Sequence, residues 1–127
     1  MPIAKQLTVV ASNRPGVLAR IAEALAANGI NISGLHTSGA TRQIRLLVSN
    51  VAKARRVLQK AGLRTRAEEV VVVQLADRPG TLARTARKLA RGKININYAY
   101  GTAARGSQRA ALVFGVSNAR RAARLLP

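Results

Sequence analysis

No cysteine occurs among the 127 residues, which excludes a disulfide framework, a thiolate metal site and a thiol nucleophile. Acids and imidazole are nearly as scarce. Glu23, Glu68, Glu69 and Asp77 are the only carboxylates and His36 the only histidine, too few for a catalytic triad or a metal cluster. Glu68 and Glu69 are neighbours on a predicted strand, so they point to opposite faces and make a poor acid/base pair. A single histidine in a strand reads as packing or surface. The chain therefore reads as a non-enzyme, and nothing in it calls for a cofactor. Aromatics are limited to Tyr98, Tyr100 and Phe114, all in the second half. The Gly101–Gly106 loop carries an Arg but lacks the Lys-Ser/Thr ending of a phosphate-binding loop. No apolar stretch approaches the ~18 residues needed to span a bilayer. The N-terminus also lacks the basic segment and apolar run of a secretory signal. These absences lead us to expect a soluble, cytoplasmic protein with no membrane association.

What is abundant is positive charge. Twenty-two Lys and Arg face four acids, for a formal net charge of +18 and an isoelectric point near 12. Such a field attracts anions, nucleic acid or acidic surfaces. The basic residues are scattered over both halves instead of forming one run, and an excess of Arg with Ala is also what GC-rich codon usage produces. A hydrophobic content of 48% is ample for a globular core and argues against disorder.

The chain repeats itself. Asn13-Arg14-Pro15-Gly16-Val17-Leu18-Ala19-Arg20 returns as Asp77-Arg78-Pro79-Gly80-Thr81-Leu82-Ala83-Arg84, and Gly29-Ile30-Asn31-Ile32 returns as Lys93-Ile94-Asn95-Ile96, both 64 positions on. Two blocks sharing one offset identify a tandem duplication. We divide it into residues 1–66 and 67–127. Units of roughly 60 residues are near the lower limit for an independent core, so each is expected to lean on the other or on a second chain.

Within the first unit, residues 6–11 are short, β-branched and apolar and read as a buried strand. Pro15 suits a first helical turn, with Ser12 or Asn13 as cap. Val17, Leu18, Ile21 and Leu25 then share a helical face, and Asn28-Gly29 ends the helix. Residues 30–37 and 41–49 read as two strands around a turn at 38–40. Asn50 is expected to cap a second helix, which Gly62 closes. Residues 63–75, with four consecutive valines, are the most β-prone run of the chain. They must serve as last strand of one unit and first strand of the next. The second unit repeats the order: a helix over 77–91 with Leu82, Ala86, Leu89 and Ala90 inward, strands over 94–100 and 109–116, and a short Asn118-capped helix to 126. Each unit is thus βαββα, an α+β, ferredoxin-like unit with antiparallel strands and both helices on one face. The final strand of the second unit is missing, or supplied by exchange between units or from another chain.

Strand, [Asn/Asp]-Arg-Pro-Gly-x-Leu-x-Arg, helix and then Ile-Asn-Ile resembles the ACT domain, a regulatory module of amino-acid metabolism, and does so twice over nearly the whole chain. The resemblance implies the same βαββαβ fold and small-effector binding at interfaces between paired domains. It also implies a stand-alone, allosteric amino-acid sensor, a homodimer, with a metabolic enzyme as a further partner. Effector sites in the ACT domains of phosphoglycerate dehydrogenases resemble His-x-Asn-x-Pro-Gly followed by an Asn-Ile strand. Asn13, Pro15, Gly16, Asn31 and Ile32 match that pattern. Ala11 stands where the His would be, which counts against serine itself.

The residues suit an amino acid on their own terms. A helix N-terminus after Pro15 offers backbone N–H groups and the positive end of a dipole to a carboxylate. Gly16 has no Cβ, so a ligand can approach closely. Asn13 and Asn31 can donate or accept. The candidate set is Asn13, Pro15, Gly16, Val17, Leu18, Asn31 and Ile32, with Asp77, Gly80, Thr81, Leu82, Asn95 and Ile96 in the second copy. Asp77 accepts only, and so favours an ammonium group. The alternative for each copy is structural, with Asn or Asp capping a helix while Pro and Gly shape a turn. The rival reading of the whole chain is a basic module for nucleic acid or an acidic partner. Its support is the charge; the aromatic signature of RNA-binding sheets is absent.

Overall fold

A computed structural model describes residues 3–12, 14–103 and 105–126. Its elements run β1 Ile3–Val10, α1 Val17–Ala27, β2 Ile32–Thr37, β3 Gln43–Val48, α2 Val51–Lys60, β4 Arg64–Ala76, α3 Thr81–Arg91, β5 Ile96–Ala103, β6 Arg109–Val116 and α4 Ala119–Leu125. The architecture is α+β and ferredoxin-like, as the element order implies. The chain forms two compact units, Lys5–Glu68 and Met1–Ala4 with Glu69–Pro127. β1 and β4 each contribute to both.

In the unit Lys5–Glu68 the strand order is β2-β3-β1-β4, the order that two right-handed crossovers give. β3 runs antiparallel to both neighbours, with Val9 opposite Ile44 and Thr37 opposite Ile44 on the other side. Leu7, Val9, Ile21, Leu25, Leu46 and Leu58 are fully buried together. At roughly 1.5–3 kcal/mol per buried aliphatic side chain, this cluster is the main stabilising feature of the unit. On the other side of β1, Gln6 and Thr8 are equally buried. Thr8 Oγ1 donates to Glu68 Oε1 at 3.0 Å, and Arg66 Nε donates to the same oxygen at 2.8 Å. The Thr8 hydroxyl can leave water because it has a partner, while the Glu68 side chain stays 32% exposed.

In the unit Met1–Ala4 with Glu69–Pro127 the order is β1-β4-β6-β5. The start of β1 lies beside β4 on the side away from β6, the place of the strand the second βαββα pattern lacks. β4 therefore has a neighbour on each side. Val71, Val73, Leu89, Ile94, Phe114, Ala122 and Leu126 form the core. Glu69 meets Arg120 of α4 at 3.4 Å, whereas Glu68 meets Thr8 and Arg66, so the adjacent acids do serve opposite faces.

The helix ends follow sequence closely in some places and not in others. Asn50 Oδ1 accepts from Lys53 N and Asn118 Oδ1 from Arg121 N, both at 3.0 Å, so both expected caps are present. The starts of α1 and α3 differ: each begins on a left-handed glycine, Gly16 at φ 85° and Gly80 at φ 92°, which has no side chain to cap with, and Asn13, an expected cap of α1, lies outside the described residues. The reason is a turn. Val17 N bonds to Arg14 O and Thr81 N to Arg78 O, so Arg-Pro-Gly-x is a type II turn with Pro second and Gly third, the position that requires φ > 0. Pro15 and Pro79 therefore precede their helices instead of opening them. The inward face of α3 is also shifted from expectation. Thr85 and Leu89 are buried, while Leu82 is 54% exposed and Ala90 faces solvent.

Candidate functional site

At the end of β1, Ala11 N bonds to Arg42 O, and Arg14 N turns back onto Ser12 O. The chain then passes through the Pro15-Gly16 turn into α1. Beside that turn lies a hollow of about 190 Å³, walled by Ser12, Arg14, Val17 and Leu18 on one side and by Thr37, Ser38 and Thr41 of the β2–β3 connection on the other. Hydroxyls, a guanidinium and two apolar side chains face one small space. A Cβ on Gly16 would have no atom within 4 Å, so the open approach expected of this glycine is present. Gly16 has no side chain to cap α1, and while Val17 N is taken by Arg14 O, the following first-turn N–H groups of Leu18 and Ala19 lie near the rim. Asn13 lies outside the described residues.

The second turn is built alike but furnished differently. Asp77 is exposed, and its backbone N–H bonds to Gln108 O at 2.8 Å. Arg84 folds back over the turn, with Nη2 3.5 Å from Thr81 Oγ1 and Nη1 3.2 Å from the place a Gly80 Cβ would take. The guanidinium thus covers the second turn.

Asn31 and Ile32 do not join the Gly16 turn within their own unit. β2 runs from Ile32, opposite Val48, to Thr37, opposite Ile44, and the turn adjoins the Thr37 end. Asn31 precedes the other end, about 16 Å away by the length of the 11-residue helix α1. Asn95 and Ile96 stand in the same relation to Gly80. The Asn positions share a local structure of their own. Asn31 N donates to Ser49 Oγ and Ser49 N to Asn31 O, both at 3.0 Å, and Asn95 with Ser117 repeats the clamp. Register shifts follow in both strands, between Ile32 and Gly34 and between Ile96 and Tyr98. Such a bulge re-aims side chains at a strand end. Both Asn side chains are exposed. That of Asn95 donates to Asn97 Oδ1 at 2.8 Å.

Sequence reasoning passed over the Thr37–Thr41 wall of the first hollow, although Thr-Ser-x-x-Thr at a strand turn offered a visible cluster of hydroxyls. His36 is a cross-strand partner of Arg45, whose Nη1 lies 3.3 Å from His36 Nδ1. Tyr98, opposite Gly115, lies where a Cβ on that glycine would collide with its ring, so the ring rests on the neighbouring strand. Among the described residues no group of three or more His, Cys, Asp or Glu is placed to hold a metal ion, and no helix is long and apolar enough to cross a membrane.

Two ferredoxin-like units, each with an Arg-Pro-Gly turn before its first helix, define a paired small-domain α+β protein. The chain belongs to the ACT domain pair family, whose model matches residues 1–126. Comparison with curated protein sequences returns no match. Among solved structures, it is similar to protein BT0572 from Bacteroides thetaiotaomicron, with 30% identity, a TM-score of 0.89, and coverage of 98% of this chain and 87% of that one. It also resembles the ligand-free regulatory subunit of aspartate kinase from Thermus thermophilus, with 19% identity, a TM-score of 0.70, and coverage of 98% and 92%. A third similar structure is Escherichia coli aspartokinase III in complex with lysine and aspartate, at 15% identity and TM-score 0.63, where the match covers 98% of this chain and 30% of that one. The last two likenesses are of fold.

Proposed function

We propose that this protein is a non-enzymatic amino-acid sensor that binds its effector at the Arg-Pro-Gly turns and regulates a partner enzyme by changing how copies of the chain associate. The observation that carries the reading is the contrast among four helices of one chain. α2 and α4 each start on an Asn whose side chain accepts from a first-turn N–H, whereas α1 and α3 each start on a glycine, which has no side chain to do so. An uncapped N-terminus beside a hollow suits a carboxylate, and Ser12, Thr37, Ser38 and Thr41 supply hydroxyl partners for an ammonium group. Asp77 gives the second copy an anionic acceptor and hence a different preference.

The distance between Gly16 and Asn31 shapes the proposal. A ligand the size of an amino acid cannot span about 16 Å, so a site using both is shared, with the turn from one chain and Asn31 from its partner in a homodimer. Binding then cross-links two chains and shifts the population of one pairing geometry. The regulatory role fits the likeness to the aspartate kinase regulatory subunit. The test is thermal unfolding against a panel of the common amino acids. One or more should raise the melting temperature, and Gly16→Val and Asn31→Ala should each abolish the rise. A panel without effect contradicts the proposal.

The nucleic-acid reading rests on the +18 charge, which favours nonspecific binding that weakens with salt. Tyr98, seated on Gly115, is not splayed for base stacking. Sequence-preferring binding that survives ~0.5 M salt would displace our reading.

A further inference from the structure

The two copies differ most under their first helices. In the first unit the inner positions of α1 are Val17, Ile21 and Ala24. Ile21 is fully buried, and Val17 and Ala24 pack on the core. At the matched positions, 64 further on, the second unit has Thr81, Thr85 and Lys88. Three apolar positions have become polar together. Beside them the second unit has an open pocket of about 200 Å³ lined by these three residues with Arg84 and Gln74. Its remaining walls are Val73, Leu75 and Leu126.

A buried polar group needs a partner, and replacing Ile by Thr in a core lowers stability unless the hydroxyl is hydrogen-bonded. Thr85 is only 6% exposed, and its hydroxyl donates to Thr81 O at 3.0 Å. A hydroxyl that donates keeps acceptor capacity. The lining holds two cations and no acid, so Lys88 and Arg84 give it a positive field with no internal counter-ion. One side is therefore cationic and hydroxylated while the other is aliphatic. An inorganic anion would satisfy the first and leave the second unfilled. The volume is that of roughly seven water molecules at about 30 Å³ each, room for a small molecule.

We infer that the second unit carries a binding site beneath α3 for a short-chain organic acid, its carboxylate held by Arg84, Lys88 and Thr81 and its carbon chain against Val73, Leu75 and Leu126. This site reaches beyond the second turn, with which it shares Thr81 and Arg84. It uses neither Gly80 nor Asn95, and the first unit has Val17 and Ala24 where this site has Thr81 and Lys88.

The experiment is an NMR titration of the full chain with butyrate, at constant ionic strength set by sodium chloride. Saturable amide shifts should be confined to Gln74, Thr81, Thr85, Lys88 and their neighbours. The double variant Lys88→Ala with Arg84→Gln should weaken binding about tenfold or more, as expected for loss of a charge-assisted hydrogen bond. Alanine is the first unit's own residue at the matched position, Ala24, so the fold should persist, which the undisturbed remainder of the spectrum checks. Lys53→Ala, which removes an exposed charge elsewhere, should leave the affinity unchanged. The double variant should also keep any amino-acid response that depends on Gly16 and Asn31, which separates this site from the turn sites. Shifts spread over the basic surface, equal shifts with inorganic phosphate, or binding undiminished in the double variant would overturn the inference.

Discussion

Gly16 is the position where local conformation and proposed function meet, and its substitution has a cost that can be worked out. The residue sits at φ 85° and ψ −8°, the third position of a type II turn. A Cβ there would have no atom within 4 Å, so alanine incurs no steric collision and the penalty is conformational. Placing an L-residue in the left-handed region costs roughly 1–2 kcal/mol. Alanine's lower entropy in the unfolded chain returns about 0.4–1 kcal/mol, leaving a net loss near 1 kcal/mol. For a chain of this size that corresponds to a fall of about 4 °C in melting temperature. Asparagine tolerates φ > 0 better than alanine, and β-branched valine tolerates it worse. Thermal unfolding followed by circular dichroism at 222 nm should therefore rank Gly above Asn, Asn above Ala, and Ala above Val. An unchanged Ala variant, or an Asn variant no better than Ala, would refute the role of positive φ. A loss above about 3 kcal/mol would refute the open surroundings.

Four other positions give independent checks. Lys93 occupies the left-handed C-terminal position at φ 57° where the first copy has Gly29 at φ 70°, so Lys93→Gly should stabilise the chain by roughly 0.5–1 kcal/mol in denaturant titration. Asn50→Ala should remove the bond to Lys53 N and cost about 1 kcal/mol, with Asn50→Asp retaining most of it. Leu25→Ala should cost about 2–5 kcal/mol because Leu25 is fully buried in the first core. Leu82→Ala, at a 54% exposed residue, should change stability by less than about 0.5 kcal/mol.

The fold could be read from the chain because its signals are local and doubled. The 64-residue offset set the unit, β-branched runs set the strands, and Asn50 and Asn118, each just before a helical stripe, set two caps. The Arg-Pro-Gly blocks were misread as helix starts. Proline suits both a first helical turn and the second position of a type II turn, and the glycine after it decides for the turn. The face of α3 was misassigned because Leu82, Ala86, Leu89 and Ala90 form a plausible apolar stripe. Its true inner residues include Thr85, polar in identity though buried, and matching Thr85 to Ile21 through the repeat would have shown the phase. The candidate site was legible as residues but not as a place. Gly16 and Asn31 look like one set in sequence, yet α1 holds them about 16 Å apart, and strand direction is what separates them.

In the shared site proposed for an amino acid, the Gly16 turn of one chain meets Asn31 of another. Mixing two inactive variants tests it most directly. Gly16→Val and Asn31→Ala chains, each without an amino-acid response alone, are unfolded, combined in equal amounts and refolded together. In a mixed dimer, one site then receives both defects and the other receives an intact turn and an intact Asn31. Calorimetric titration with the effector should recover binding at wild-type affinity, with about one quarter of the wild-type number of sites, since half the dimers are mixed and each carries one intact site. No recovery in verified mixed dimers would contradict the shared site.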